Sequence, residues 1–217
     1  MSSPEPSSDS TRWSRQQTIT LAVTGASGSR YALRLLEQLL AADQRVWMMF
    51  SDAARQVMEM EVGLKLPTET AAAAQQLATR YQAQAGQLTL FGEREWLAPV
   101  ASGSGTPRAM VVCPCSMGTL SAIAHGSSDN LLERAADVMI KERRQLILVP
   151  RETPYSTLHL ENMLRLSQQG VMLLPANPGL YQNPTSVADL VDFVVARILD
   201  QLNIRQRLIP EWGIEES

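Results

Sequence analysis

The run Thr24-Gly25-Ala26-Ser27-Gly28 is the part of this chain best equipped to hold an anion. It follows the apolar run Ile19 to Val23 and leads into Tyr31 to Leu40, so strand, glycine turn and helix come in immediate succession. Glycines let backbone N–H groups close on a ligand, and the helix behind them adds orphan donors and a partial positive charge. A phosphate monoester is the expected occupant, with an ordinary strand-to-helix turn as the plainer alternative. A dinucleotide is disfavoured, because Gly25 and Gly28 enclose only two residues and Tyr31 stands where G-x-G-x-x-G has its third glycine. Asp52, after the second strand, stands where a ribose-binding acid would sit, but Ser51-Asp52-Ala53-Ala54 is equally a helix start.

Other groups capable of chemistry gather at the same kind of place. In an open parallel sheet, ligands collect beyond the carboxyl ends of the strands, so the segments just after each apolar run belong together. Besides Gly25 to Gly28 they are Ser51, Pro114 to Thr119, Pro150 to Thr153 and Pro175 to Gly179. Ser116, Gly118 and Thr119 open a helix and offer donors suited to a flavin ring's carbonyls or a second phosphate; simple N-capping is the alternative. Arg134 and Lys141 share a helical face about 10 Å apart, with Asp137 between them, and such a row is most often a solvated face. Arg197 lies beside Phe193 and Val194, where a guanidinium is expected to be partly desolvated and aimed at an anion. Asp189 and Asp192 form a D-x-x-D pair, better explained by capping of the last helix than by a metal. Cys113 and Cys115 flank Pro114 and are expected to be reduced, inert thiols; His125 and His159 are too isolated to suggest a metal pair.

The elements that must position these groups follow from periodicity. Apolar runs at Ile19 to Val23, Val46 to Phe50, Ala109 to Cys113, Leu146 to Val149 and Val171 to Leu174 alternate with helical patterns, which specifies a parallel sheet covered on both faces. The last helix is the plainest, with Val187, Leu190, Val191, Val194, Val195, Ile198, Leu199 and Leu202 on one stripe and Ser186 with Asp189 as its cap. Glu69 to Gln84 reads as a helix on the rim. Residues 1–16 read as a disordered leader rich in Ser and Pro, 17–204 as the α/β domain, and 205–217 as a tail docking on its own domain or a neighbouring subunit. At 217 residues, with 45% hydrophobic and 19% charged, the chain suffices for one packed domain. A net charge of −3 with no basic cluster argues against nucleic acid, and no apolar stretch approaches the ~20 residues that span a bilayer, so a cytoplasmic location is expected.

Taken in order, several segments resemble the flavin prenyltransferases (UbiX-like), enzymes that attach a dimethylallyl group to FMN. They are Val23 to Gly28, Ala101 to Ser104, Cys113 to Leu120, Asn130 to Val138, Leu148 to Pro154 and His159 to Met163, and the likeness runs from about Thr18 to Trp212. It implies a three-layer Rossmann-like (flavodoxin-like) doubly wound sheet in a large homo-oligomer, typically a dodecamer, with FMN in a site shared between subunits. Gly25, Ala26, Ser27, Ser51, Ser116, Met117, Gly118, Thr119 and Arg151 look like the FMN contacts. Tyr181 and Arg197 resemble the family's ligands for dimethylallyl phosphate, joined by Lys141, by Ser102 or Ser104, and by Arg134. Trp96 and Trp212 resemble aromatic walls of the prenyl pocket, and Ser27, Glu61 and Glu152 the proton-handling groups. The departures are a longer leader, Tyr155 where leucine or phenylalanine is common, and His125 in place of a small residue.

The resemblance also implies a reaction: reduced FMN attacks the allylic carbon through N5, inorganic phosphate leaves, and ring closure at C6 follows. The product serves a partner decarboxylase of the ubiquinone-pathway type. No metal is required, which favours the monophosphate over the diphosphate donor, because the leaving dianion must then be stabilised by fixed cations and hydroxyls. Two rivals differ in class. A flavin-dependent decarboxylase of the same superfamily commonly uses a histidine after the first helix region, where Ser51 to Ala54 offers none. A non-catalytic FMN carrier leaves the cation set without purpose.

Overall fold

The computed structural model describes residues 12–210. Six strands form one all-parallel sheet: β1 (Thr18–Val23), β2 (Arg45–Phe50), β3 (Leu88–Phe91), β4 (Ala109–Cys115), β5 (Gln145–Pro150) and β6 (Met172–Leu173), in the order β3-β2-β1-β4-β5-β6. Seven helices cover it: α1 (Ser29–Ala41), α2 (Asp52–Val62), α3 (Thr70–Arg80), α4 (Met117–His125), α5 (Leu131–Lys141), α6 (Thr157–Gln168) and α7 (Val187–Gln201). The parallel sheet covered on both faces that the alternation specifies is present, doubly wound as the resemblance implies, and the strand order reverses between β1 and β4, where such sheets open a crevice at their carboxyl edge.

Period-2 side chains sort the core into two layers. Leu21, Val23, Met48, Phe50, Val111, Cys113, Ile147 and Val149 face α1, α2, α3 and α7. Ala22, Trp47, Met49, Met110, Val112, Cys115, Leu146 and Leu148 face α4, α5 and α6. The apolar stripe of α7 buries Val191, Val194, Val195, Ile198 and Leu199. Its N-terminus closes as a capping box: the Ser186 hydroxyl accepts from the Asp189 amide at 3.2 Å, and Asp189 accepts from the Ser186 amide at 2.9 Å.

Local details depart from the sequence reading. β3 is a four-residue strand interrupted by Thr89 and so not a continuous apolar run, and β6 keeps only two residues of Val171 to Leu174 because it is an edge strand pairing with β5 alone. The Ala/Gln-rich helix stops at Arg80 rather than Gln84, capped at its start by the Glu69 carboxylate and seated through Ala73 and Leu77. Trp13, inside the stretch expected to be disordered, is 6% exposed, its indole N–H donating to Asp43 at 3.3 Å. In the tail, Leu208 packs against the α7 side of the chain's own core.

Candidate functional site

The cradle is stitched together before any ligand is considered. The Thr24 hydroxyl donates to the Pro114 carbonyl at 2.9 Å and accepts from the Ser116 amide at 2.7 Å, joining the β1 loop to the β4 loop across the switch point. Gly25 is a glycine because a Cβ there would lie 2.5 Å from Cβ of Ala53 in the first turn of α2. Gly28 enters α1 with φ of 133°, a conformation other residues avoid.

The N-terminus of α1, where the sequence suggests a phosphate, already carries an anion of the chain's own. Glu61, near the end of α2, fills it: its carboxylate accepts from the Gly28 amide at 3.1 and 3.2 Å and from the Ser29 amide at 2.8 Å. Burial alone would raise the Glu61 carboxyl. Hydrogen bonds from the Ser27 hydroxyl and the Ser29 and Gly28 amides outweigh it and hold the group below its usual value. The fold thus supplies a carboxylate to the positive end of the helix. The same contact brings together Ser27 and Glu61, two of the three residues assigned to proton handling. The third, Glu152, follows β5 and accepts from the Thr153 amide at 3.1 Å.

Helix α2 also has a carboxylate at its start. Burial and the charge of Asp52 push Glu93 up, while the Asp52 backbone N–H donates to it. Ser51 caps α2, its hydroxyl accepting from the Ala54 amide at 3.1 Å. At α4 the cap is a hydroxyl: Ser116 accepts from the Thr119 amide at 3.3 Å and donates to the Thr119 hydroxyl at 3.1 Å. Met117 and Gly118 supply the first-turn N–H groups that a helix cannot satisfy internally. A Cβ on Gly118 would meet only the Ser116 hydroxyl at 4.0 Å, so the backbone there is open to approach. Arg151, at the neighbouring carboxyl end of β5, holds a buried Nε without a hydrogen-bond partner. An unsatisfied guanidinium donor beside an open helix N-terminus fits a cofactor that brings phosphate or ring carbonyls.

The remaining candidates divide between distant places. Arg134, Lys141, Ser102 and Ser104 form one patch on the outer side of α5: Arg134 donates to the Ala101 carbonyl at 3.1 Å and to Asp137 at 2.8 Å, the two serine hydroxyls lie 3.1 Å apart, and Lys141 pairs with Glu142. Lys141 stands just before the amino end of β5, whereas the cradle lies at the carboxyl ends. Tyr181 and Arg197 belong to the α7 layer on the opposite face. Tyr181 meets Phe193 edge-on at 5.8 Å, and Arg197 and Phe193 line a cavity of about 440 Å³ against Met172 to Pro175. Arg197 was expected to be partly desolvated and aimed at an anion. Its side chain is 47% exposed, and the anion it meets is Asp200, three residues on, at 2.6 Å. Trp96 is 43% exposed after β3, and Trp212 lies outside the described residues.

Asp189 is taken up by its cap, and Asp192 by Arg34, which it meets at 2.7 and 3.1 Å. Among the described residues no group of three or more His, Cys, Asp or Glu side chains is placed to hold a metal ion. Tyr155 packs partly buried against the α4–α6 layer, edge-on to His159 at 6.4 Å. The sequence reading missed Thr24 as a staple, and Glu142 and Asp200 as counter-ions. Only Asp200 had a signal, an acid three residues from a chosen cation.

Comparison with known proteins agrees with this architecture. A family model described as Flavoprotein matches residues 7–199. Flavin prenyltransferase UbiX of Pseudomonas aeruginosa PAO1 is 56% identical over 195 residues, covering 90% of this chain and 93% of the relative. The enzyme of the same name from Halalkalibacterium halodurans is 46% identical over 198 residues, covering 91% and 94%. Among solved structures, AnUbiX (PadA1) in complex with FMN and dimethylallyl pyrophosphate superposes with a TM-score of 0.82 at 33% identity, covering 93% of this chain and 100% of that one. A dodecameric FMN-dependent UbiX-like decarboxylase from Escherichia coli O157:H7 gives 0.79 at 37% identity, covering 91% and 100%. The chain therefore belongs to the flavoprotein family and, within it, to the flavin prenyltransferases.

Proposed function

We infer that this protein transfers the dimethylallyl group of dimethylallyl phosphate to N5 and C6 of reduced FMN, making the prenylated flavin that a partner decarboxylase uses. The observation that carries the reading is the orphaned, buried Nε of Arg151 beside the open N-terminus of α4, a donor set that suits FMN. FMN supplies the nucleophilic ring; the chain supplies the rest. Met117, Gly118 and Arg151 would hold the cofactor, with Gly25, Ala26, Ser27, Ser51, Ser116 and Thr119 shaping its bed. Glu61, ionised and hydrogen-bonded by the Ser27 hydroxyl, is placed to take a proton at the cradle's edge, with Glu152 as a second carboxylate.

The departing phosphate needs several cations at once. One cation at 4 Å is worth about 1–4 kcal/mol between bulk water and a protein surface, and about 1.4 kcal/mol is tenfold in rate. Arg134 and Lys141 lie on one face of the sheet and Arg197 on the other, so a single chain does not bring them to one phosphate. The reading therefore requires a homo-oligomer in which subunits pool these residues, with Ser102, Ser104 and Tyr181 as hydroxyl donors and Trp96 and Trp212 as the prenyl walls. Exposed Leu158, Leu160 and Leu164 on α6 supply apolar surface for such contacts. A cytoplasmic site of action is part of the same reading. Among the described residues no helix is long and apolar enough to cross a membrane.

The test is to incubate the protein with reduced FMN and dimethylallyl monophosphate or diphosphate and weigh the flavin. A flavin heavier by one isoprene unit supports the reading and shows which donor serves. An unaltered flavin with both donors refutes it.

A further inference from the structure

We propose that Glu142 is a built-in stand-in for the donor's phosphate: its carboxylate occupies the anion position between Lys141 and the Ser102–Ser104 loop, and the donor displaces it on binding. This rests on the reading that Lys141 and the two serines face the donor. The pairing of Glu142 with Lys141 is not a default of helical geometry. Adjacent residues on a helix point about 100° apart and do not face each other. Glu142 is the C-cap of α5, with ψ of 4°, and there the chain leaves the helix and lets the two side chains converge.

Helix electrostatics do not explain the placement either, because a carboxylate at a helix C-terminus opposes the macrodipole. Its carboxyl is held below the usual value first by the hydrogen bond from Lys141 and then by the charges of Lys141 and Arg144. The opposite wall is Gly103. Gly103 opens a short 3-10 turn in which the Gly105 amide donates to the Ser102 carbonyl, and a Cβ on it would collide with the Glu142 carboxylate, so loop and carboxylate lie in close contact. On either side of it stand Ser102 and Ser104, whose hydroxyls are bonded to each other at 3.1 Å and face outward in an exposed loop. A carboxylate held by one ammonium against a glycine between two serines has the surroundings a small phosphate would need.

The experiment uses the full-length, FMN-loaded protein, with donor kinetics at saturating reduced FMN and calorimetric titration of inorganic phosphate. Glu142→Gln should lower the donor KM and the phosphate Kd together by about twofold to fivefold, the range of a screened surface pair. Glu142→Asp, which keeps the charge, should stay near the parent in both. Gly103→Ala placed in the Glu142→Gln background should weaken phosphate binding again, because the methyl that excludes a carboxylate excludes a phosphate. If Lys141→Ala and Ser102→Ala both leave turnover and phosphate binding intact, the assignment of this patch to the donor fails. If Lys141→Ala abolishes turnover but Glu142→Gln leaves KM and Kd unchanged or raises them, the stand-in is overturned while the assignment survives.

Discussion

Glu61→Gln is the most informative single change at the cradle. Two backbone N–H groups, that of Gly28 shared between both oxygens and that of Ser29, close the positive end of α1 on one carboxylate, and a hydrogen bond to a charged acceptor contributes about 1.5–3 kcal/mol when well shielded. Here the site is half-buried, and glutamine keeps one acceptor oxygen, so the net loss is about 1–2 kcal/mol once solvent screening is allowed for. For a domain of this size that is a fall of about 2–8 °C in Tm. The sign with pH is fixed by the direction of the shift. A carboxyl depressed on folding stabilises the fold above the ordinary glutamate range and loses that contribution as pH falls through its depressed value, so parent and variant should converge on acidification. Removing the negative charge from the helix end should also make the variant's Tm rise with added phosphate more than the parent's. Differential scanning calorimetry across pH, with phosphate exchanged for chloride, reads all three. Equal Tm values at neutral pH and no added phosphate response would refute the idea that Glu61 fills an anion site.

Three further outcomes are expected. Arg151→Met should cut FMN affinity tenfold or more, about 1.4 kcal/mol, as read by flavin fluorescence on titration, with the melting temperature of the ligand-free protein unchanged or higher. Gly25→Ala should destabilise by about 1–3 kcal/mol through overpacking, because its methyl meets Ala53 at 2.5 Å; urea unfolding measures it. Asp192→Asn should cost about 1 kcal/mol, seen as a lower urea midpoint. It removes the two-point contact by which α7 holds Arg34 of α1, and the loss should shrink at high salt.

How much of this was legible depends on the range of the interaction. The alternation of apolar runs and helices gave the layers, because burial on both faces of a parallel strand demands continuous hydrophobicity. β3 was not located because Thr89 interrupts Leu88 to Phe91, leaving an alternating strand and no continuous apolar run. The glycine turn announced an anion site, but its occupant lies 33 residues away on another helix and no local pattern marks it. For Arg197 the local signal existed: Asp200 is one helical turn on, and neighbouring Phe193 and Val194 drew attention to desolvation instead. That α5 and α7 sit on opposite faces is a property of the chain's winding, so the division of the cations between two places required the fold.

The Thr24 staple has a consequence for how any ligand enters. Because one hydroxyl is donor to the β4 lip and acceptor from it, the two lips of the switch-point crevice behave as a single stiff rim. The conformational entropy of shaping that rim is lost when the chain folds, before anything binds. An incoming molecule thus meets a finished socket, and its affinity is spent on contacts instead of on ordering loops.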